Sequence, residues 1–230
     1  MSKPTELDPD FLAAVERHGL KLTTEQLVGV QAYCRVLWSW NERLNLTRHT
    51  DYEKFVARDL IDTLQLVALL KPNEEVLDLG SGSGVPGIPL AIIRPDLQVS
   101  LAESVGKKAK ALEAMVRELK LPIAVYSARG EELLGDFRFD TVVARAVGPL
   151  RKLATWLGPH WHTIGRLLAV KGPKWVEERG EARHYGALKG VDLRKVAEYV
   201  MPGADGPAVI LELCRSRPGE SRPAAEHEGA

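Results

Sequence analysis

Cysteine is scarce in this chain. Cys34 and Cys214 are the only two among 230 residues, and no CxxC pair occurs. Neither a zinc knuckle nor a disulfide framework is therefore expected, and this usage fits a reducing compartment. There is no excess of either charge. Lys plus Arg number 31 and Asp plus Glu number 31, so net charge alone points to no partner. No apolar run reaches the roughly 18 residues of a membrane span. The start of the chain, residues 1–10, is polar, so a secretory leader is not expected. A cytoplasmic location without membrane association follows as the expectation. Nothing in the composition sets the oligomeric state, and a monomer is assumed.

What is present is a well-organised pattern. Apolar residues make up 45% of the chain, enough for a packed core. The length fits one α/β domain with a helical extension. Residues 1–72 read as that N-terminal helical extension. Thr23 or Thr24 caps a helix running to about Trp40, with Leu27, Val30, Leu37 and Trp38 on one face. A second helix is expected over residues 52–70, where Val56, Leu60, Leu64 and Val67 keep three- and four-residue spacing. Strand and helix then alternate through residues 73–215. Strands are expected near 75–79, 98–103, 122–126, 139–144 and 165–171, with two more near 192–200 and 207–214. Helices fit near 86–93, 105–119, 149–162 and 174–187. Such alternation predicts an α/β fold, a mostly parallel sheet with helices on both faces. Residues 216–230 are polar and rich in Pro, Glu and Gly, and read as a disordered tail.

The most informative run is Asp78-Leu79-Gly80-Ser81-Gly82-Ser83-Gly84-Val85-Pro86-Gly87. A short apolar strand leads into glycines spaced for a tight turn and close backbone approach to a ligand. The run also matches GxGxxG, so a dinucleotide is not excluded by the glycines alone. Asp78 tips the balance toward S-adenosylmethionine, because a carboxylate there suits a cation or a hydroxyl and repels a pyrophosphate. Glu103 ends the second strand, where an acid can accept the ribose hydroxyls of either cofactor. Backbone amides in Ala128-Arg129-Gly130-Glu131 can face an adenine edge, although a plain helix start fits that segment equally well. Arg145 stands at the carboxyl end of the fourth strand, where open parallel sheets bind ligands. Its planar donors suit a carboxylate or a nucleobase, and a buried ion pair is the competing reading.

Further absences narrow the chemistry. The fourth strand ends Ala144-Arg145-Ala146-Val147-Gly148-Pro149, without the Asn/Asp-Pro-Pro-aromatic motif of exocyclic adenine methylation. No Pro-Cys pair supplies a nucleophile for pyrimidine C5. Residues 145–165 contain no tyrosine for a hydride-transfer dyad. An acceptor that is already nucleophilic, such as guanine N7, needs only in-line positioning. Residues 141–174 hold Arg145, Arg151, Lys152, Arg166, Lys171 and Lys174 and no acid, a local charge of +6. With Trp156, Trp161 and Trp175 close by, that stretch fits a nucleic-acid face, unless the tryptophans merely pack a helix. A small-molecule methyltransferase on the same fold and a non-catalytic RNA-binding module stay open at this point.

These residues resemble the bacterial rRNA small subunit methyltransferase G family over most of residues 25–175. The specific pieces are Trp40-Asn41-Glu42-Arg43-Leu44-Asn45-Leu46-Thr47, the loop from Asp78 to Leu90, Arg94-Pro95, Gly106-Lys107-Lys108, Arg145-Ala146-Val147 and Lys171-Gly172. The resemblance implies a class I S-adenosylmethionine-dependent methyltransferase fold. It implies methyl transfer to N7 of a guanine in the decoding region of 16S rRNA, with the rRNA or the small ribosomal subunit as partner. By position, Gly80 and Val85 would line the cofactor loop, Gly130 and Glu131 would meet the adenosine end and Arg145 would contact the cofactor or the acceptor, joining Asp78, Gly82 and Glu103 as the expected cofactor-binding residues. Arg145 and Lys171 would serve catalysis, Lys171 facing RNA. Two departures stand out. Glu103 replaces a more usual Asp, and Asp59-Leu60-Ile61-Asp62-Thr63 replaces a His-x-Leu-Asp-Ser pattern, which removes a histidine.

Overall fold

The computed structural model describes residues 6–216. The expected tail lies outside the described residues except for Ser216. Its backbone N–H donates to the Gly190 carbonyl (2.9 Å) and its hydroxyl to Asp192 (2.6 Å).

The chain opens with α1 (Pro9–Arg17), whose N-cap Asp8 accepts from the Asp10 N–H. Thr23, not Thr24, caps α2 (Thr24–Leu44) in a reciprocal capping box with Gln26. This helix runs past the expected Trp40 and stops at Asn45, which takes the left-handed conformation (φ 47°). The single helix expected over residues 52–70 is in fact three pieces. α3 (Tyr52–Lys54) leads into a π-helical segment, Phe55–Leu60, and then into α4 (Ile61–Val67). The wider turn sits at the site described below, a common place for π-helical insertions.

The remaining elements are β1 (Glu75–Leu79), α5 (Gly87–Ile93), β2 (Gln98–Ala102), α6 (Gly106–Glu118), β3 (Ala124–Tyr126), α7 (Gly130–Leu133), β4 (Phe139–Arg145), α8 (Leu150–Leu157), β5 (Ile164–Lys171), α9 (Trp175–His184), β6 (Val191–Tyr199) and β7 (Ala208–Arg215). The helix expected to reach residue 162 ends earlier and tightens into a 3-10 turn, Gly158–His160. Strand order is β3-β2-β1-β4-β5-β7-β6. The first five strands pair in parallel, and β7 runs antiparallel to both β5 and β6. The mostly parallel, doubly covered sheet is therefore present. From β1 the chain winds outward through β2 and β3, then returns to β4 and winds the other way. The β1/β4 boundary is the switch point of the sheet, where a crevice opens at the strands' carboxyl ends.

Each central strand is buried on both faces, as a covered parallel sheet requires. Side chains alternate between two apolar clusters. Val76, Val143, Leu168 and Val170 join the cluster that holds α1, α2, α5 and α6. Leu77, Val142, Leu167 and Ala169 join the one beneath α8. The N-terminal helices share the first cluster directly, through Phe11, Tyr33, Leu37 and Phe55. Tyr33 also donates its hydroxyl to the Ser83 carbonyl (3.0 Å), tying α2 to the glycine loop.

Candidate functional site

The glycine loop leaves β1 and folds back over β2. The N–H groups of Gly80 and Ser81 both donate to the Ala102 carbonyl, at 2.9 and 3.0 Å. Gly80 has φ +69°, and a Cβ there would press on Val147 at 3.1 Å. Only glycine meets both conditions without strain. A Cβ at Gly82 would meet nothing closer than the Gly80 carbonyl oxygen at 3.8 Å, so the space over the loop is open. α5 starts at Gly87 with Pro86 just before it, joined to Val85 by a cis peptide. The helix expected near residues 86–93 thus begins one residue later. The Val85 side chain packs in the core, so any contact it offers a ligand is through its backbone.

Asp78 does not present an open carboxylate. It is 1% exposed, and its Oδ2 accepts from the Gly87 N–H at 3.1 Å. Burial pushes its pKa up to about 7, against the pull of the Gly87 and Ser81 hydrogen bonds. Its role in the fold is to hold the start of α5 beneath the loop. Glu103, also buried, is the acid that meets the loop's backbone. Its Oε2 accepts from the Gly82 N–H (2.9 Å) and its Oε1 from the Val105 N–H (2.7 Å). Each oxygen retains a lone pair for a hydroxyl donor. Gly130 opens α7 at the end of β3, and a Cβ there would fall 1.8 Å from the Leu79 Cδ1. Glu131 follows in the same turn, half-buried.

Arg145 ends β4 as expected, but its guanidinium is already engaged. Nη2 lies 2.7 Å from Asp59 Oδ1, and Nε donates to Asp62 Oδ2 at 2.6 Å. Asp59 and Asp62 lie on one buried face of the π-to-α helical run. Asp62 also accepts from the Tyr199 hydroxyl (2.6 Å), and Asp59 meets His49 Nδ1 (2.9 Å). Burial by itself weakens the charge on Arg145; the two aspartates outweigh it and raise the pKa. Burial first, then Asp62, likewise pushes the Tyr199 phenol up. The buried-ion-pair reading of Arg145 is thus realised, and its partners were not anticipated. A usable signal existed: two acids, three residues apart, on the same helix face as Val56 and Leu60.

Lys171 does not face open solvent. It is buried, and its Nζ donates to the Gly148 carbonyl (2.5 Å) and to Glu178 (2.7 Å). It therefore ties the loop after β4 to α9. Arg145 and Lys171 line one cavity of about 530 Å³, shared with Arg48 and His49.

The acid-free stretch is less basic in space than in sequence. Arg166 points to the opposite end of the sheet, paired with Glu74 and Glu212 at 3.1 and 3.2 Å. Arg151 pairs with Glu181, and Arg145 and Lys171 are paired as described. Trp156, Trp161 and Trp175 pack against the second core cluster. Lys152 and Arg179 cover the rings of Trp156 and Trp175. Exposed cations beside the loop are Lys107 and Lys110, at the start of α6.

Comparison with known proteins is consistent with this geometry. The sequence model of rRNA small subunit methyltransferase G matches residues 26–202. A protein of that name from Rhodopirellula baltica is 56% identical over 220 residues, covering 96% of this chain and 93% of its own. Another from Roseiflexus sp. is 37% identical over 206 residues, covering 87% and 88%. Among solved structures, a variant of MtNAS in complex with S-adenosylmethionine matches with TM-score 0.56 at 15% identity. It covers 90% of this chain and 84% of its own. The bifunctional kinase-methyltransferase WbdD matches with TM-score 0.55 at 14% identity, over 77% of this chain and 46% of its own. At such identities the two structures speak to the fold alone.

Proposed function

This chain belongs to the rRNA small subunit methyltransferase G family, and on that premise we propose that it methylates N7 of a guanine in the decoding region of 16S rRNA. S-adenosylmethionine is the methyl donor, and supplies an electrophilic methyl group on a sulfonium. The residues present fit such a cofactor. Glu103, pinned by the N–H groups of Gly82 and Val105, keeps acceptor capacity for ribose hydroxyls. The open space over Gly82 admits close backbone approach. Gly130 and Glu131, at the end of β3, would meet the adenosine end. Asp78 supports the loop from beneath and acts through Gly87.

The observation that carries this reading is that the loop bonded to Glu103 follows β1 while the Arg145 network ends β4, the two strands that pair at the switch point. The chain's own part in the reaction is positioning. Guanine N7 has a free lone pair and no proton to lose, so an in-line approach is the main requirement. Arg145 and Lys171 shape the acceptor side of the crevice. They fix the loop after β4 against the helix carrying Asp59 and Asp62 and against α9. RNA phosphates would meet the exposed lysines of α6, Lys107 and Lys110.

Among the described residues no helix is long and apolar enough to cross a membrane. A cytoplasmic site of action, on the rRNA or the small subunit, belongs to the same proposal. The test is transfer of a labelled methyl group from S-adenosylmethionine to small subunits lacking the modification. Incorporation is expected, and its absence with a folded protein would reject the reading.

A further inference from the structure

The cavity beside Arg145 holds a histidine that no sequence pattern singled out. His49 follows α2 on a loop fixed at three points. Its N–H donates to Thr47 Oγ1 (3.0 Å), its carbonyl accepts from Trp38 Nε1 (2.8 Å), and its Nδ1 lies 2.9 Å from Asp59 Oδ2. Asp59 is a buried carboxylate held on its other side by Arg145. Facing that acceptor, Nδ1 carries the ring proton and donates it. In the neutral ring the lone pair then sits on Nε2. Among the described residues, nothing hydrogen-bonds to Nε2. The ring is partly exposed and lines the cavity that Arg145 and Lys171 share. Position 59, where the family pattern has a histidine, here carries the aspartate that orients this imidazole.

Resting on the N7-guanine reading, we infer that His49 is the residue that reads and holds the acceptor base, its Nε2 accepting the hydrogen bond from guanine N1–H. Two arguments support this. The first is selectivity: guanine is the purine with a proton on N1, whereas adenine offers only a lone pair there. An acceptor covered by the bound base therefore favours guanine and leaves adenine with two opposed lone pairs. The second is the charge change in the reaction. The N7 lone pair forms the new N–C bond while the C–S electrons return to sulfur, leaving a neutral thioether. No proton is lost, so the base gains one positive charge and its N1–H becomes a stronger donor. A hydrogen bond to N1–H thus tightens on the way to the transition state, which is where binding accelerates a reaction. Asp59 and Asp62 against Arg145 leave one net negative charge behind the imidazole, which favours a developing cation.

The test uses the full-length protein and small subunits lacking the modification, under single turnover with saturating S-adenosylmethionine. Cofactor affinity and melting temperature are measured alongside. His49→Ala should slow methylation about tenfold or more with cofactor affinity unchanged. His49→Gln, whose amide oxygen can accept, should recover the rate to within about threefold of wild type. His49→Lys, a donor only, should stay as slow as His49→Ala. If the wild-type protein methylates N7 and His49→Ala matches it, the inference fails. It fails equally if folded His49→Gln is as slow as His49→Ala, or if His49→Lys rescues as well as His49→Gln. If the wild-type protein itself transfers no methyl group, it is the N7-guanine reading that fails.

Discussion

Replacing Arg145 by alanine should destabilise the fold before it informs on chemistry. Arg145 is the one guanidinium between two carboxylates whose side chains are only 3% and 4% exposed. Its removal strands both charges away from water. Breaking a buried ion pair from one side costs about 3–5 kcal/mol. His49 and Tyr199 remain as partial partners for Asp59 and Asp62, which places the expected loss near the lower end, about 3 kcal/mol. For a chain of this size that corresponds to a melting temperature lower by roughly 6–12 °C. Urea unfolding of wild type and variant at neutral pH measures it. The triple variant Asp59→Asn, Asp62→Asn, Arg145→Met should recover most of the loss, because it removes the charges together. A loss under about 1 kcal/mol at neutral pH, typical of an exposed pair, would refute the buried network.

Three further outcomes follow from the loop. Asp78→Asn should gain stability relative to wild type as pH rises. Asp78 has its pKa raised from 3.8 to about 7, so the folded state holds that proton more tightly than the unfolded chain. Its stabilising effect is full below about pH 4 and lost by about pH 7; urea titrations across that window report the difference, and parallel pH profiles would contradict the assignment. Gly87→Ala should cost about 1–3 kcal/mol, because a Cβ would lie 2.3 Å from Leu101 Cδ2 and 2.8 Å from Asp78 Oδ2; thermal unfolding checks it. Glu103→Gln should weaken S-adenosylmethionine binding about tenfold in calorimetry, having lost one charge-assisted acceptor, and unchanged affinity would remove Glu103 from the cofactor site.

The fold was readable where its causes are local. Alternating apolar strands and capped helices carry their own periodicity, so β1 to β5 and the cap at Thr23 follow from short windows. The glycine loop was equally legible, because turn geometry and glycine go together. The π-helical segment was not: its residues keep ordinary helical spacing, and the extra residue per turn shows only in the backbone hydrogen bonds. Side-chain partnership was the larger gap. Arg145 meets acids 83 and 86 residues earlier in the chain, and Arg166 meets Glu74 and Glu212 from two other elements. A stretch without acids therefore looked like a basic face, while the sheet brought in acids from elsewhere. His49 was hidden more locally: its meaning comes from direct contact with Asp59, ten residues on, which no helical or strand spacing signals.

The most direct test of the central claim is a map of N7-methylguanine in 16S rRNA from cells with and without this protein, read by cleavage at the modified base. The account predicts one decoding-region guanine that carries the methyl group only when the protein is present. An identical map in both, or a new methyl group at any other atom, would contradict it.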